Sequence, residues 1–199
     1  MTKILAFAGS IRRDSLNKRL VKLAAVKARE AGGEVTLIDL GDFALPLYDG
    51  DLEEAEGAPA NATKLFELMK QHSAILLSCP EYNSSISGVL KNVIDWLSRP
   101  RQGELPLAAF SGKVAALLSA SPGTLGGLRG LFHVRSILQN IGVLVIPNLV
   151  SVSQAHKAFA DNGELVDEGL AKKVSQLAYE LVNVTNKLNA SCSPTRFRQ

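Results

Sequence analysis

Residues 78–99 read SCPEYNSSISGVLKNVIDWLSR, and this stretch decides the fold class of the 199-residue chain. It follows the apolar run Ala74–Ser78, whose composition is typical of a strand buried on both faces. The segment PEYN predicts a turn, and the apolar spacing over residues 88–98 predicts a helix. In an open α/β sheet, a turn between a strand and the next helix lies at the ligand-binding edge. The aromatic and amide side chains of this turn therefore predict a site for a flat ring.

A second turn of this kind lies near the amino terminus, at residues 9–17, which read GSIRRDSLN. It separates the apolar run 4–8 from an amphipathic helical pattern over residues 15–31. The turn has neither the G-x-G-x-x-G spacing of a dinucleotide site nor the G-x-x-x-x-G-K-[ST] spacing of a P-loop. It offers hydroxyl, amide and guanidinium donors instead, on Ser10, Arg12, Ser15 and Asn17. Such donors beside the amino end of a helix favour a terminal phosphate group, although Ser15 alone could be only a helix N-cap.

The rest of the chain alternates between strand and helix patterns. Predicted strands cover residues 4–8, 34–40, 74–78, 113–119 and 143–152, and predicted helices cover 15–31, 61–71, 88–98, 131–141 and 164–188. Residues 41–60 are predicted to form a loop, and Pro147 predicts an edge position or a bulge in the last strand. This alternation predicts a doubly wound α/β fold, a five-stranded parallel sheet with helices on both faces. We expect one domain over residues 1–190 and a disordered tail over residues 191–199.

A third turn, at residues 119–127, follows the fourth predicted strand and reads SASPGTLGG. Because the carboxyl ends of parallel strands meet at one edge of a sheet, the three turns are expected to form one site. Gly126 and Gly127 have two readings that the sequence leaves open. They could let a planar group approach the backbone closely, or they could be a flexible start to the next helix.

The composition argues against several classes of protein. The 22 Lys and Arg residues are scattered and the net charge is only +3, so no nucleic-acid partner is expected. No apolar run approaches the ~18 residues of a membrane-spanning helix, so no stable membrane insertion is expected. Cys79 and Cys192 have neither metal-ligand nor redox spacing. Their spacing predicts no metal site, a reducing compartment and a cytoplasmic location.

The first two turns together carry a family resemblance. The pattern GSIRxxSxN at residues 9–17 and the pattern PEYNSSxxGxLKNxIDWxSR at residues 80–99 closely resemble the NADPH-dependent FMN reductase family, which includes flavodoxin-like quinone and chromate reductases. The resemblance implies a flavodoxin-like fold, bound FMN, and two-electron reduction of quinones by NADPH or NADH in a ping-pong cycle. Chromate, azo compounds and other acceptors are further candidates. A flavodoxin-type electron carrier or a redox-sensing module without nicotinamide turnover stays open as an alternative, although flavodoxins are typically acidic.

The resemblance also implies roles for individual residues. The FMN phosphate would be held by Ser10, Arg12, Ser15, Leu16 and Asn17, and the ring by Pro80, Glu81, Tyr82, Asn83 and Ser121. Arg99 and Arg129 match arginines near the substrate site or the subunit contacts. No catalytic side chain is expected, because the flavin itself would carry the chemistry. Glu81 has a second reading as a helix-dipole or salt-bridge residue, and Ser87 replaces a frequent proline, which would loosen the start of the helix.

The predicted helix over residues 88–98 is apolar around more than one stripe of its surface. Its apolar residues are Val89, Leu90, Val93, Ile94, Trp96 and Leu97. Such a helix is either sunk in a core or shared with another subunit. Since proteins that resemble this chain form dimers and tetramers, we expect a homodimer or a homotetramer.

Overall fold

The computed structural model describes residues 1–191, so Cys192 and residues 192–199 of the predicted tail lie outside the described residues. Ser191, where the disordered tail was predicted to begin, is still helical. The strands are β1 (Lys3–Ala8), β2 (Glu34–Leu37), β3 (Ala74–Ser78), β4 (Glu81–Tyr82), β5 (Ser85–Ile86), β6 (Val114–Ala120) and β7 (Leu144–Val152). The α-helices are α1 (Leu16–Glu30), α2 (Gly50–Glu56), α3 (Ala60–Gln71), α4 (Gly88–Leu97), α5 (Leu128–Asn140) and α6 (Glu168–Ser191). A 3-10 helix, Leu40–Asp42, follows β2. That residues 1–190 form one domain stays a prediction.

Five of the strands form one parallel sheet, in the order β2-β1-β3-β6-β7. The chain moves from β1 to the edge strand β2 and then crosses back over β1 to β3. The strand order therefore reverses between β1 and β3, which is the topological switch point where ligands bind in such sheets. The predicted doubly wound, flavodoxin-like fold is confirmed.

Apolar side chains fill the space on both faces of the sheet. Along β1, Leu5 and Phe7 join the core that includes α3, α4 and α5, while Ile4, Ala6 and Ala8 join the core that includes α1 and α6. Alternation of this kind is required of a strand that is buried on both faces. It confirms the predicted helices on both faces of the sheet.

The connection between β2 and α3 is more ordered than the loop predicted over residues 41–60. β2 ends at Leu37 rather than at residue 40, because Asp39 accepts a hydrogen bond from the Gly41 N–H (2.8 Å) and starts the 3-10 helix. Farther along, the Asp49 carboxylate caps α2 by accepting from the Asp51 N–H (2.9 Å). Because α2 buries none of its residues, its sequence has no apolar periodicity by which it could be predicted.

Three further features of the fold confirm or refine the predicted elements. β7 is an edge strand, and its pairing with β6 shifts register between Ala115 and Leu117, so both expectations for Pro147 are confirmed. α6 begins at Glu168 instead of residue 164, and the Asp167 carboxylate accepts from the N–H of Leu170 (2.8 Å) at its start. The predicted turn after β3 contains the short antiparallel hairpin β4-β5.

Helix α4 buries most of its apolar surface within the chain. Trp96 is fully buried, and its indole N–H donates to the Pro46 carbonyl (2.8 Å). The Trp96 ring packs edge-on against Tyr48, with ring centroids 5.0 Å apart. The connection from β2 to α3 therefore covers the surface that suggested a subunit contact. Trp96 is no longer an argument for an oligomer, and the oligomeric state stays a prediction.

Lys113, directly before β6, is a buried cation whose ammonium donates to the His72 carbonyl. Burial lowers the pKa of Lys113 to about 8, whereas a lysine in an unfolded chain has a pKa of ~10.4. The penalty for burying the charge is fully present below pH 8 and is relieved as the pH rises. We expect the free energy of unfolding, measured by urea denaturation, to rise by about 1–3 kcal/mol between about pH 8 and pH 10.5.

The matched comparison is Lys113→Met, which removes the titrating group and should flatten this rise. Lys22→Met is the control, because Lys22 is exposed and should leave the rise in place. A Lys113→Met protein with the same pH dependence as the parent would assign the rise to other groups.

Candidate functional site

Three turns meet at the carboxyl edge of the sheet, after the neighbouring strands β1, β3 and β6. Asn17, in the first turn of α1, ties them together. Its Oδ1 accepts hydrogen bonds from the Ser78 hydroxyl (2.8 Å) and the Ala120 N–H (3.0 Å). Its Nδ2 donates to the Ala120 carbonyl (2.9 Å). The structure thus brings the three turns to one place, as the sequence predicts.

These contacts change the expected role of Asn17. The residue is only 3% exposed, and both acceptor positions of its side-chain oxygen are used within the chain. The side chain therefore orients α1 against β3 and β6 rather than serving chiefly as a phosphate donor. The backbone N–H of Asn17, in the first turn of α1, has no intrahelical acceptor and stays available to an anion.

We call the turn after β1 the phosphate turn (residues 9–17). The side-chain donors of Ser10, Arg12 and Ser15 in this turn donate to no other described residue. The Ser10 Oγ accepts from the Arg12 N–H (3.3 Å), which closes the turn. Ser15 stands in the N-cap position of α1 with extended backbone, yet its hydroxyl makes no capping hydrogen bond. Among residues 1–191, the ion pair in this turn joins Arg13 to Asp14 (3.5 Å) and does not involve Arg12.

The chemistry of this donor set fits a phosphate monoester. The first turn of α1 contains no acidic residue, so nothing from the helix itself competes for its N–H groups. Ser10 and Ser15 are buried at this position, whereas Arg12 is exposed and carries a guanidinium suited to phosphate oxygens. The positive end of the α1 dipole adds to the attraction for an anion.

The turn after β3, which we call the ring turn (residues 79–87), is built around the hairpin β4-β5. Tyr82 pairs with Ser85, and the two residues between them, Asn83 and Ser84, both have positive φ, at 50° and 64°. Positive φ at both central residues defines a type I′ turn, in which asparagine is favoured. This tight turn holds Tyr82 at the surface, where it is 49% exposed, with Asn83 exposed beside it. An aromatic group and an amide are thus presented together.

Glu81 anchors the ring turn to α5. Its carboxylate accepts hydrogen bonds from the Arg129 side chain, at 2.8 Å from Nε, and from the Gly130 N–H (3.1 Å). Burial alone would raise the pKa of Glu81, but the hydrogen bonds from Gly130 and Arg129 outweigh it and hold the pKa below its usual value. Glu81 therefore makes a salt bridge and lies at the amino end of a helix, as its second reading expects. The Arg129 side chain is the partner in this salt bridge.

The turn after β6 contains Ser121, whose Oγ accepts from the Gly123 N–H (3.2 Å) and whose backbone N–H donates to the Val152 carbonyl (3.0 Å). Gly126 has φ 62°, and a Cβ there would lie 2.8 Å from the backbone of Val152 and Ser153. The close approach that this glycine permits is therefore to the end of β7. This packing of Gly126 was in neither of the two readings that the sequence left open, whereas Gly127 stands at the N-cap of α5, as the helix-start reading expects.

Arg99 lies away from the three turns. It follows α4, which starts at the carboxyl edge of β3 and runs back towards the amino edge. There its guanidinium donates to the Tyr48 hydroxyl (3.2 Å) and lies 5.2 Å from the centroid of the Tyr48 ring. Arg99 thus holds the β2–α3 connection against α4, and the structure does not bring it to the site within one chain.

Ser87 contributes to the site through contacts that the amino-acid pattern did not predict. Ser87 donates to the Gly9 carbonyl (2.6 Å) and caps α4 by accepting from the Leu90 N–H (3.2 Å). The start of this helix is therefore fixed, and the expectation that replacing proline loosens it is wrong. A serine directly before an apolar helix is a standard N-cap signal and could have predicted this contact.

Cys79 is the first residue of the ring turn, directly after β3, and is fully buried. Burial raises the pKa of its thiol to about 12, although a hydrogen bond from the Ser87 backbone opposes the shift. The sulfur therefore stays protonated at neutral pH, and the thiol packs as a small apolar group.

The strand order defines the class of flavodoxin-like proteins, and the donor-rich turn after β1 and the exposed hairpin after β3 suit a ligand with a phosphate and a flat ring. Within this class, the family model described as NADPH-dependent FMN reductase matches residues 2–157. The chain belongs to this family, and the resemblance seen in its two turns is confirmed.

Individual relatives agree with this assignment. The chain is 34% identical over 170 residues to a protein named quinone reductase from Escherichia coli (strain K12), which covers 84% of this chain and 86% of that protein. It is 37% identical over 176 residues to an NAD(P)H-dependent FMN reductase of Pseudomonas aeruginosa, covering 87% and 90% of the two chains. Among solved structures, the flavoenzyme NAD(P)H:(acceptor) oxidoreductase FerB of Paracoccus denitrificans superposes with a TM-score of 0.77 at 31% identity, covering 94% and 98%.

Proposed function

We propose that this chain is an FMN-dependent NAD(P)H oxidoreductase that passes two electrons to quinones in a ping-pong cycle. The observation that carries this proposal is the phosphate turn, whose helix N-terminus is left uncapped by Ser15 in a chain of the FMN reductase family. FMN supplies the redox chemistry when it is bound, and the protein supplies binding, orientation and electrostatics.

The described residues divide the work of binding among the three turns. The hydroxyls of Ser10 and Ser15, the Arg12 guanidinium and the backbone N–H groups of Leu16 and Asn17 would hold the phosphate. The ring would lie against Pro80, Tyr82, Asn83 and Ser121. Glu81 and Arg129 would act indirectly, by holding the hairpin against α5.

The exposed hairpin supports access for both substrates. A ping-pong cycle needs a nicotinamide and then an acceptor to reach the same ring face, which a deeply enclosed ring would prevent. Tyr82 and Asn83 stand at the surface, so a ring beside them would be open on one side. Quinones are supported as acceptors by the similarity to the Escherichia coli protein named quinone reductase, and chromate, azo compounds or other acceptors are further candidates.

Turnover with nicotinamide tests this proposal directly. Without oxygen, NADPH or NADH should bleach the visible flavin absorbance of the FMN-loaded protein, and a quinone should restore it. Initial rates at several fixed quinone concentrations should give parallel double-reciprocal lines. Tyr82→Ala should lower the turnover rate while leaving most FMN bound, because the ring turn and the phosphate turn are separate. Tyr179→Ala, which removes an exposed tyrosine from α6, is the matched control and should change neither property.

An electron carrier is the alternative of a different class. A carrier would exchange electrons with protein partners, and neither NADPH nor NADH would bleach its flavin within minutes. The net charge of +3 disfavours this alternative, because flavodoxins are typically acidic. Failure of both nicotinamides, together with rapid bleaching by a protein reductase, would decide for the carrier.

Assembly and location are further parts of the proposal. A homodimer or homotetramer is supported by the resemblance to the family alone, since α4 is mostly buried within its own chain. A cytoplasmic location is supported by the free thiol of Cys79. Within residues 1–191, no helix has the length and apolar character needed to cross a membrane.

A further inference from the structure

Ser87 joins the ring turn to the phosphate turn through one buried hydroxyl. The residue is 2% exposed and stands between the hairpin β4-β5 and the first residue of α4. Its Oγ donates to the carbonyl of Gly9, the first residue of the phosphate turn, at 2.6 Å. The same Oγ accepts from the Leu90 N–H at 3.2 Å. One side chain thus caps a helix and bridges two turns that are 78 residues apart in the chain.

Gly9 is held from both sides by these elements. Its N–H donates to the Ser78 carbonyl at the end of β3 (2.9 Å), while its carbonyl accepts from Ser87. A Cβ at Gly9 would lie 3.1 Å from the Leu90 side chain and 3.4 Å from Pro80. The phosphate turn therefore starts in direct contact with the helix that follows the ring turn, and the Ser87 hydroxyl is the polar contact that fixes this junction.

We propose that Ser87 is a positioning residue that sets the separation between the phosphate subsite and the ring subsite. The proposal rests on the proposed function, because it needs a ligand that spans both turns. The hydroxyl would not touch the ligand. It would hold the Gly9 carbonyl, and with it the start of the phosphate turn, at one distance from the hairpin.

The proposal predicts different effects on ligands of different length. FMN must satisfy both turns at once, so a change in their separation weakens one of its two sets of contacts. Riboflavin has the same ring without the phosphate and does not need the contacts of the phosphate turn. Loss of the Ser87 hydroxyl should therefore affect FMN more than riboflavin, whereas a general loss of folding stability would affect both.

The test is titration of apoprotein with each ligand, followed by quenching of flavin fluorescence. Ser87→Ala is expected to raise the dissociation constant of FMN by about 3- to 10-fold, the range expected for one buried hydrogen bond. The dissociation constant of riboflavin should change by less than about twofold. Ser87→Gly should act in the same way, because glycine is nearly as good an N-cap as serine but has no hydroxyl.

Two further variants separate positioning from helix capping. Ser87→Thr keeps the hydroxyl and should restore the preference for FMN over riboflavin. Asp167→Ala removes a cap of similar type from α6, where Asp167 accepts from the Leu170 N–H (2.8 Å). It should lower the unfolding temperature without changing the ratio of the two dissociation constants.

The outcomes distinguish this inference from the proposed function. If the parent protein fails to bind FMN, the proposed function fails and takes this inference with it. If the parent prefers FMN but Ser87→Ala and Ser87→Gly keep the same ratio of riboflavin to FMN dissociation constants, only the positioning role is overturned. An equal loss of affinity for both ligands would also overturn it, since that pattern marks a general structural effect.

Discussion

Replacing Arg12 by alanine is expected to raise the dissociation constant of FMN by about 10- to 150-fold, which corresponds to about 1.5–3 kcal/mol. Arg12 is exposed in the phosphate turn and makes no ion pair within residues 1–191, so its guanidinium is available to the ligand. A hydrogen bond between a guanidinium and a phosphate is charge-assisted, and for this reason it is stronger than a neutral one. Fluorescence titration of the apoprotein with FMN measures the effect.

The neighbouring arginine provides a matched control. The Arg13 side chain is 94% exposed and is paired with Asp14 (3.5 Å), so Arg13→Ala removes the same charge from the same turn. It should weaken FMN binding by no more than a few-fold, through long-range attraction alone. Equal losses for Arg12→Ala and Arg13→Ala would show that net charge matters rather than a direct contact. An unchanged FMN affinity in Arg12→Ala would show that the phosphate binds at another part of the protein.

Replacing Gly126 by alanine is expected to lower the free energy of unfolding by about 2–4 kcal/mol. The new Cβ would lie 2.8 Å from backbone atoms of Val152 and Ser153, which cannot rotate away. The positive φ of 62° adds strain for any residue with a Cβ. Urea denaturation of the apoprotein gives the change, and FMN affinity should fall as well, because the turn after β6 must shift.

Gly163→Ala separates the effect of the steric clash from the effect of the positive φ. Gly163 also has a positive φ, 85°, but a Cβ there would meet no atom within 4 Å. This variant therefore reports conformational strain without a steric clash and should be destabilised by only about 1 kcal/mol. If the two variants were destabilised equally, the contact between the third turn and β7 would contribute nothing.

The sheet could be predicted because the amino-acid pattern of each buried strand is a local property. Strands such as Ala74–Ser78 bury every residue and therefore read as uninterrupted apolar runs. The ends of helices were harder to predict. α6 begins four residues later than its apolar spacing suggests, at a point defined by the Asp167 hydrogen bond. Helix α2 buries none of its residues fully and leaves no trace in the hydrophobic pattern.

The candidate site was predicted as a set of turns but not as a set of contacts. The residues of the phosphate turn and ring turn stand out by their chemistry, and parallel strands bring such turns to one edge. The sequence does not show which side chains are used inside the protein. Asn17 bonds to Ala120, which is 103 residues away, and Arg99 bonds to Tyr48, which is 51 residues away. Contacts over such separations depend on the folded packing and have no local signature.

The burial of Cys79 has a consequence for chemical durability. Quinones are electrophiles that add to thiolates, so a protein that handles them is exposed to arylation by its own substrates. Cys79 is the first residue of the ring turn, yet it is fully buried and its pKa of about 12 leaves almost no thiolate at neutral pH. The fold thus places sulfur beside the candidate quinone site in a form that neither quinones nor peroxide can readily attack.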